Sequence, residues 1–554
     1  MTQNSAPKKD VTKAQALALQ PRDSIIQEIT NNFIKTVLPP LRVKNVSKAD
    51  ISAKLYTETV LAIDTANLIR NKGSQLRIPQ TLAPQQIADL MLQYHTIRLI
   101  DFIGDATDRD QLKLATYQDS GSEEGLYTIS EEALRSIARQ FNYELSSASF
   151  AEVKMYLTEK APLVTPTQDK HIVPVNNGLF NYNTKELHPF SPEHVILTKA
   201  RTDYNPNATN VNIYNPEDGT NWDVESWMAG LSDDPEVVHA LWATVAAAVR
   251  PFHNWDKMVL LYSEQGANGK GTFCSMIRNV LGSKATASIS LLQFSQRFGL
   301  APLIGINAVI TDENPVGSYV EQSDALKSAI TGDSLTIEAK HKNPIAYKFN
   351  GFILQCVNEL PKTQDRSDSF YRRQLFLPML KLFTGRERKY IKHDYLKRKE
   401  VLEYVLYRVL HMDLNELPIP EVSRTFLDEY KSYNDPVRDF FNTIEDDLVW
   451  QKIPNQFLYD LYKAWFSRNH ASGKVKSSST FNNEIKQLLV GNNKWEVVNG
   501  VFKPTLAMKQ TPEPLILQYK LEDWANPTYR GDKPEIKALA NFQSATYRGI
   551  QRLQ

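Results

Sequence analysis

The chain has 554 residues, of which 42% are hydrophobic and 23% are charged. This length exceeds that of one ordinary domain, so we expect several domains. The 64 Lys and Arg residues balance the 63 Asp and Glu residues. This balance excludes a histone-like basic protein and an acidic disordered protein, although a local basic patch can still bind nucleic acid.

The two cysteines exclude a disulfide scaffold and a cysteine-rich zinc module. No apolar run reaches the roughly 18 residues that a membrane helix needs. The polar N-terminus MTQNSAPKKD has no apolar signal core. We therefore expect a cytoplasmic protein that does not associate with a membrane.

The pattern along the chain predicts a multidomain α/β protein. Helical apolar spacing dominates the first part of the chain, whereas short apolar runs alternate with helical segments from residue 257 to 379, which is typical of a mostly parallel sheet. The predicted divisions are a flexible tail (1–22), a mostly helical N-terminal region with an associated domain (23–235), an α/β core (236–430), a helical DNA-binding domain (431–520) and a C-terminal tail (521–554).

The first chemical signal is an apolar strand, a glycine-rich loop and a helix in KMVLLYSEQGANGKGTFCSMIRNVLG (257–282). Such a loop can cradle the phosphates of ATP with backbone N–H groups at a helix N-terminus. Lys270 would reach the β- and γ-phosphates, and Thr272 is a candidate Mg²⁺ ligand. The strict pattern has Gly at 264 and Ser or Thr at 271, where this chain has Glu264 and Gly271; a simple glycine turn is the alternative. The candidate nucleotide-binding residues are Gly266, Ala267, Asn268, Gly269, Lys270, Gly271 and Thr272.

Two further apolar strands end in polar residues. LIGINAVITDENP (303–315) ends in Asp312, which could hold Mg²⁺, and Glu313, which could orient the attacking water. GFILQCVNELP (351–361) ends in Asn358, in the position from which an amide contacts the γ-phosphate in ring ATPases. Each pattern alone also fits an ordinary buried strand, so the prediction depends on the ordered series.

An arginine pair, Arg372 and Arg373, precedes the next apolar strand in DRSDSFYRRQLFLPM (365–379). An arginine that reaches a neighbouring subunit's nucleotide can stabilise the charge that develops during phosphoryl transfer. The alternative is a solvated pair.

A predicted hairpin lies between the second and third of these motifs. SLTIE and IAYKF read as strands, and the connection AKHKNP carries Lys340, His341 and Lys342. A basic hairpin tip can contact the phosphate backbone of DNA, although lysines also occupy ordinary turns.

Together these motifs resemble those of superfamily 3 helicases of the phage, plasmid and poxvirus primase-helicase group. The segments that carry the resemblance are GANGKGTF, AVITDEN, LKSAITGDSLTIEAKHKNP, CVNELP and SDSFYRRQLFLP, in this order. NNGLFNYNTKELHPFSPEHVILTKARTDYNP also looks like the domain that precedes the core in this group, and the resemblance covers about residues 85–520. Replication initiators of phage satellites and mobile genomic islands are similar in size and layout.

The resemblance implies an AAA+-like P-loop core in a hexameric ring, with ATP and Mg²⁺ as cofactors. It implies ATP-driven translocation on DNA, with single- and double-stranded DNA as partners. A primase or other host replication proteins are further candidate partners. The resemblance also implies that a neighbouring subunit supplies an arginine to the catalytic site in trans. Arg373 fits the position of this arginine best, and Arg372 is the second candidate. Many relatives carry a primase domain, but Asp105, Asp108 and Asp110 lie in a polar, loop-like segment, so we expect no primase activity in this chain.

The C-terminal part predicts a winged helix. It has helical spacing at 456–469 and 477–489, followed by a hairpin at 494–505 around Asn499-Gly500. Such a domain can place its second helix, with Lys486, in a major groove for origin recognition. Lysines in or near this face are Lys474, Lys476, Lys486, Lys494 and Lys503. A protein-docking winged helix is the alternative.

Two other function classes compete with a helicase and initiator. A nucleotide kinase also uses Gly-Lys-Gly-Thr loops, but it should have a lid with acceptor-binding arginines and should lack the series from Asn358 to Arg373. A DNA-binding replication scaffold would bind ATP in an unusual loop without turnover. ATP hydrolysis with and without single-stranded DNA separates these predictions.

Overall fold

The computed structural model describes residues 15–105, 109–315, 319–320, 322–340, 343–385, 387–469 and 475–553. The chain forms two compact units. The first consists of Met1–Val316, Gln322–Glu359 and Leu377–Pro418, and the second consists of Gly317–Glu321, Leu360–Phe376 and Ile419–Gln554. None of the helices in the described part of the chain combines the length and hydropathy that a membrane crossing requires.

The first unit begins with a helical layer packed on a small sheet. The Ser47 side chain caps the longest of these helices by accepting a hydrogen bond from the Asp50 N–H. The helices are Arg22–Asn32, Leu38–Val43, Lys48–Asn67, Pro84–Tyr94, Glu131–Arg139 and Ser147–Lys160. The sheet has the order Tyr127–Thr128, Lys113–Tyr117, Ile97–Ile100 and Leu163–Val164. This part is therefore mixed α and β.

Short antiparallel strands and two helices lead from this layer to the central sheet. The strands are Ile172–Val175, Gly178–Asn181, Glu186–His188, Ile213–Asn215 and Thr220–Trp222, and the helices are Val224–Ala229 and Pro235–Val249. The second helix is apolar all round, with Ala240 to Val249 buried throughout, so it forms part of the core.

A central sheet of parallel strands confirms the predicted α/β core. Three strands occupy its middle: the loop strand (Met258–Tyr262), the acid strand (Ala308–Thr311) and the amide strand (Phe352–Val357). The amide strand lies between the other two, with Val259 opposite Leu354 and Ala308 opposite Phe352. All residues of the three strands are buried, as expected for a parallel sheet covered on both faces.

The edges of the sheet and its connections complete this unit. At one edge of the sheet, strand Thr286–Ala287 pairs with the acid strand. At the other edge, Met379 directly follows strand Gln374–Pro378, and its N–H donates to the Tyr262 carbonyl (2.8 Å). The loop helix (Lys270–Leu281) follows the loop strand. The remaining named elements are the helices Asp324–Thr331, Lys389–His393 and Lys399–Leu410 and the antiparallel strands Ser334–Ile337 and Ile345–Lys348.

The second unit packs helices and a small sheet around an aromatic core. Phe440, Tyr462 and Phe481 lie in this core, with ring centroids 4.8–5.9 Å apart. The helices are Asp368–Tyr371, Glu421–Asn434, Pro436–Ile444, Asn455–Asn469, Ser478–Leu488, Leu506–Gln510, Leu515–Gln518 and Pro534–Lys537. Strands Tyr319–Val320 and Lys362–Thr363 form a parallel pair.

The expected hairpin at 494–505 does not form. Strand Trp495–Val497 pairs instead with Gly549–Arg552, which also pairs with Lys452–Pro454. Residues 549–552, which the sequence pattern assigned to a tail, are therefore the central strand of a three-stranded sheet. In this position the Ile550 side chain is buried in the apolar core, and this burial favours the observed strand pairing.

Candidate functional site

The glycine loop (residues 263–269) turns sharply before the loop helix. Ala267 and Gly269 have positive φ values of 55° and 87°. The backbone conformation at Gly269 favours glycine, and a Cβ atom there would also lie 2.9 Å from the Leu231 side chain, which would have to shift. The Asn268 side chain braces the turn, because it donates to the Gln265 carbonyl and accepts from the Lys270 N–H.

The side chain of Lys270 crosses to the end of the amide strand. Its ammonium donates to Asn358 Oδ1 (2.7 Å) and to the carbonyl oxygens of Ser263 (3.1 Å) and Val357 (3.4 Å). Lys270 is only 7% exposed, and burial lowers its pKa below the usual value. The structure thus brings together two residues that lie 88 positions apart in sequence.

The acid strand ends beside the loop helix. Arg278 of this helix donates to both oxygens of Asp312 (3.0 and 2.8 Å) and to the Ile310 carbonyl (2.9 Å). Glu313 is exposed. The predicted metal ligand Asp312 is therefore engaged in an ion pair.

The oxygen donors of this edge still fit Mg²⁺. A carboxylate offers about four lone-pair positions, so two bonds to Arg278 leave acceptor capacity on Asp312. Thr272 lies in the first turn of the loop helix and lines a cavity beside the glycine loop. Hard oxygen ligands of this kind are those that Mg²⁺ prefers.

Both cysteines lie behind this edge of the sheet. Cys274 and Cys356 are buried, and their sulfur atoms are 3.4 Å apart. The hydrogen bond with Cys356 and the burial of the site raise the pKa of the Cys274 thiol well above its usual value. The raised pKa favours the protonated Cys274 thiol, which packs as a small apolar group.

A cavity of about 570 Å³ opens beside the glycine loop. Its apolar lining includes Trp222, Trp227, Leu231, Phe383 and Ile391, and its polar lining includes Asn221, Asp223, Ser226, Glu387, Arg388, Lys389, Lys392 and His393. Ala267, Gly269 and Thr272 form its border with the loop. Its size and the aromatic side chains of Trp222, Trp227 and Phe383 in its walls suit a purine or pyrimidine base.

Sequence reasoning missed this cavity, because its walls come from three separated segments. The Phe383 N–H donates to the Ala267 carbonyl (2.7 Å), and this bond joins the third segment to the loop. The available signals were the tryptophan-rich stretch at 222–227 and the basic run RERKYIKH at 386–393. Neither signal indicates by itself that the segments meet.

The arginine pair differs in burial. Arg373 is half-buried and donates to the Ser369 carbonyl of its own turn, whereas Arg372 is exposed. Both lie in the second compact unit.

The predicted basic hairpin forms as an antiparallel pair with Leu335 opposite Tyr347. Lys340 is exposed at its tip, and the Arg297 guanidinium pairs with Glu338 (2.6 Å) near it. His341 and Lys342 lie outside the described residues, as do Asp108 and Lys474.

Two lysines of the predicted C-terminal basic face are neutralised by acids. Lys476 pairs with Glu484, and Lys494 pairs with Asp446 (3.0 Å). Lys486 on helix Ser478–Leu488 is exposed, as is Lys503. The positive charge of this face is therefore smaller than the sequence alone indicates.

Three family models match separate parts of the chain. "D5 N terminal like" matches residues 84–229, "Family of unknown function (DUF5906)" matches residues 261–373, and "Poxvirus D5 protein-like" matches residues 432–514. A search of curated proteins finds none that is similar to this chain.

Solved structures with a detectable likeness include two of another protein's C-terminal region. "The A form apo structure of NrS-1 C terminal region-CTR" is 14% identical, with a TM-score of 0.43, and covers 85% of this chain and 100% of that one. "The apo structure of NrS-1 C terminal region" is also 14% identical, with a TM-score of 0.41, and covers 76% and 97%. These scores are too low to support an argument about this chain.

Fold and site define a multidomain α/β protein in which a glycine loop and polar strand ends meet at one edge of a parallel sheet. Two of the matching models carry the D5 name, so residues 84–229 and 432–514 are similar to D5-like proteins of the phage and poxvirus primase-helicase type. D5-like proteins are enzymes related to DNA replication.

Proposed function

We propose that this protein is an ATP-dependent replicative DNA helicase and an origin-binding initiator of a phage or mobile element. In this proposal, it hydrolyses ATP at the subunit interfaces of a hexameric ring and uses the energy to translocate on DNA and unwind it. The main support is the contact of Lys270 with Asn358 beside the glycine loop and the 570 Å³ cavity.

The site offers a place for each part of the nucleotide. The base would enter the cavity between Trp227 and Phe383, and the phosphates would bind the glycine loop and Lys270. Mg²⁺, when bound, neutralises phosphate charge; Thr272 and Asp312 would hold it, the latter through water. Glu313 would orient the attacking water, and Asn358 would contact the γ-phosphate.

The arginine pair would complete the site of a neighbouring subunit. Arg373 is the first candidate and Arg372 the second; the exposure of Arg372 suits a contact in trans, whereas Arg373 would first have to leave the Ser369 carbonyl. An arginine of this kind can accelerate hydrolysis about 10³-fold or more in related chemistry.

The proposed DNA contacts lie at two sites. The hairpin tip with Lys340, His341 and Lys342 would bind the phosphate backbone whatever the sequence, because lysine acts as a point charge. Helix Ser478–Leu488 with Lys486 would bind origin DNA in a winged-helix-like domain, whose sheet is completed by Gly549–Arg552.

A non-hydrolysing replication scaffold is a second candidate. The ion pair of Asp312 with Arg278 favours it, because this pair competes with Mg²⁺ for the carboxylate. In a scaffold, ATP binding would stabilise assembly on DNA without turnover.

The test is the rate of ATP hydrolysis with and without single-stranded DNA, measured together with the mass of the assembly in solution. We expect hydrolysis that DNA stimulates and a hexamer in the presence of ATP. The variant Glu313→Gln should bind ATP and hydrolyse it far more slowly. ATP binding without turnover in the parent protein would favour the scaffold, and a monomer that binds no ATP would refute both candidates.

A further inference from the structure

Gly271 stands where phosphate loops ordinarily carry Ser or Thr, and another residue lies beside it. A Cβ atom added to Gly271 would be 3.7 Å from the ammonium nitrogen of Lys392. Lys392 lies in helix Lys389–His393, more than a hundred positions after the glycine loop in sequence, and it lines the cavity together with Gly269 and Thr272. A lysine from a distant segment therefore approaches the first turn of the loop helix.

This arrangement concentrates positive charge in one place. The loop helix has twelve residues, and its N-terminus carries the positive end of the helix dipole. The buried ammonium of Lys270 lies in the same first turn. Cations near a helix N-terminus are unfavourable unless an anion is bound there, so the local charge suits a polyanion such as a triphosphate.

The other charges around the cavity do not cancel this excess. Glu387 is the one acid of the helix segment among the lining residues, where it accompanies Arg388, Lys389 and His393. The second lining acid is Asp223, so the lining has two acids against the three cations Arg388, Lys389 and Lys392. With His393 neutral, the net charge of the lining is therefore +1.

We propose that Lys392 is a second phosphate-binding lysine of the nucleotide site. It donates from the side of the cavity, whereas Lys270 donates from the sheet. The Lys392 ammonium therefore lies beside position 271, where the strict loop pattern has Ser or Thr. The inference rests on the proposed function, because ATP is the ligand.

The test compares ATP and adenosine binding in the full chain. Lys392→Ala should weaken ATP binding about 10- to 100-fold, as expected for the loss of one charge-assisted hydrogen bond. Adenosine has no phosphate, so its affinity should be the same for the variant and the parent. This affinity is measured by competition with a fluorescent ATP analogue, after correction for the weaker binding of the analogue to the variant. Lys392→Arg keeps the charge and should retain ATP affinity within a few-fold.

Lys397→Ala is the matched control, since Lys397 is exposed on the adjoining turn Tyr395–Lys397 and does not line the cavity. It should bind ATP as the parent does. If the parent binds ATP and Lys392→Ala binds it equally well, the role of Lys392 is refuted and the nucleotide site stands. If the parent binds no ATP, both the nucleotide site and the role of Lys392 are refuted. An equal loss of ATP and adenosine binding would overturn the phosphate assignment, because it would indicate a damaged cavity.

Discussion

Lys270→Ala should remove ATP binding without unfolding the protein. The Lys270 ammonium is buried and donates to Asn358 Oδ1 and to two main-chain carbonyl oxygens. One of these carbonyls, that of Val357, also accepts from the Ser263 N–H, and Asn358 is exposed to water. Their hydrogen bonding is therefore largely preserved when the lysine is removed.

The magnitude follows from the number of bonds that ATP would gain. An ammonium has three N–H donors, so Lys270 can keep one bond to Asn358 and give two to phosphate oxygens. Two charge-assisted bonds contribute about 3–6 kcal/mol, which corresponds to about a 10²- to 10⁴-fold change in Kd. The free energy of unfolding should change by no more than about 1–2 kcal/mol, since the lost bonds are offset by the loss of a desolvated charge.

The assay is ATP titration by calorimetry, accompanied by thermal unfolding of the variant and the parent. Lys284→Ala is the control, because Lys284 lies just beyond the other end of the loop helix and its side chain is 68% exposed. A folded Lys270→Ala protein that binds ATP with the parent Kd would refute the assignment of the phosphate site.

Three further predictions concern the second compact unit. Burial raises the pKa of Glu513 from 4.5 to about 7, so the folded protein binds this proton more tightly than the unfolded chain, and the free energy of unfolding should fall by about 3 kcal/mol as pH rises from 4.5 to 7. Glu513→Gln should flatten the pH dependence of the unfolding midpoint between pH 4.5 and 7, and an unchanged pH profile would contradict this. Ile550→Ala should lower the free energy of unfolding, measured in urea, by about 2–5 kcal/mol. Leu553→Ala should lower it little, because Leu553 is 41% exposed. Equal losses in the two variants would refute the role of residues 549–552 as the central strand. Arg373→Ala mixed with Lys270→Ala should recover part of the ATPase rate, and intact rings that stay inactive at every ratio would exclude an arginine acting in trans.

Local sequence patterns predicted the elements of the site. Apolar runs that end in polar residues marked the loop, acid and amide strands, because a strand buried on both faces needs continuous apolar residues. Since the carboxyl ends of parallel strands meet at one edge, the order of motifs also predicted that Lys270 and Asn358 belong to one site. The glycine spacing predicted the sharp turn that Ala267 and Gly269 make.

Tertiary structure alone decided which distant residues share a space. Lys392 and Phe383 reach the glycine loop only because the chain returns to it after the sheet is complete, and no local period records such a return. In the same way, Asn499-Gly500 predicted a hairpin from local turn chemistry, but Trp495–Val497 pairs with Gly549–Arg552. Strand pairing is chosen by the burial of side chains such as Ile550 against the whole core, and this free energy depends on contacts that a local pattern does not contain.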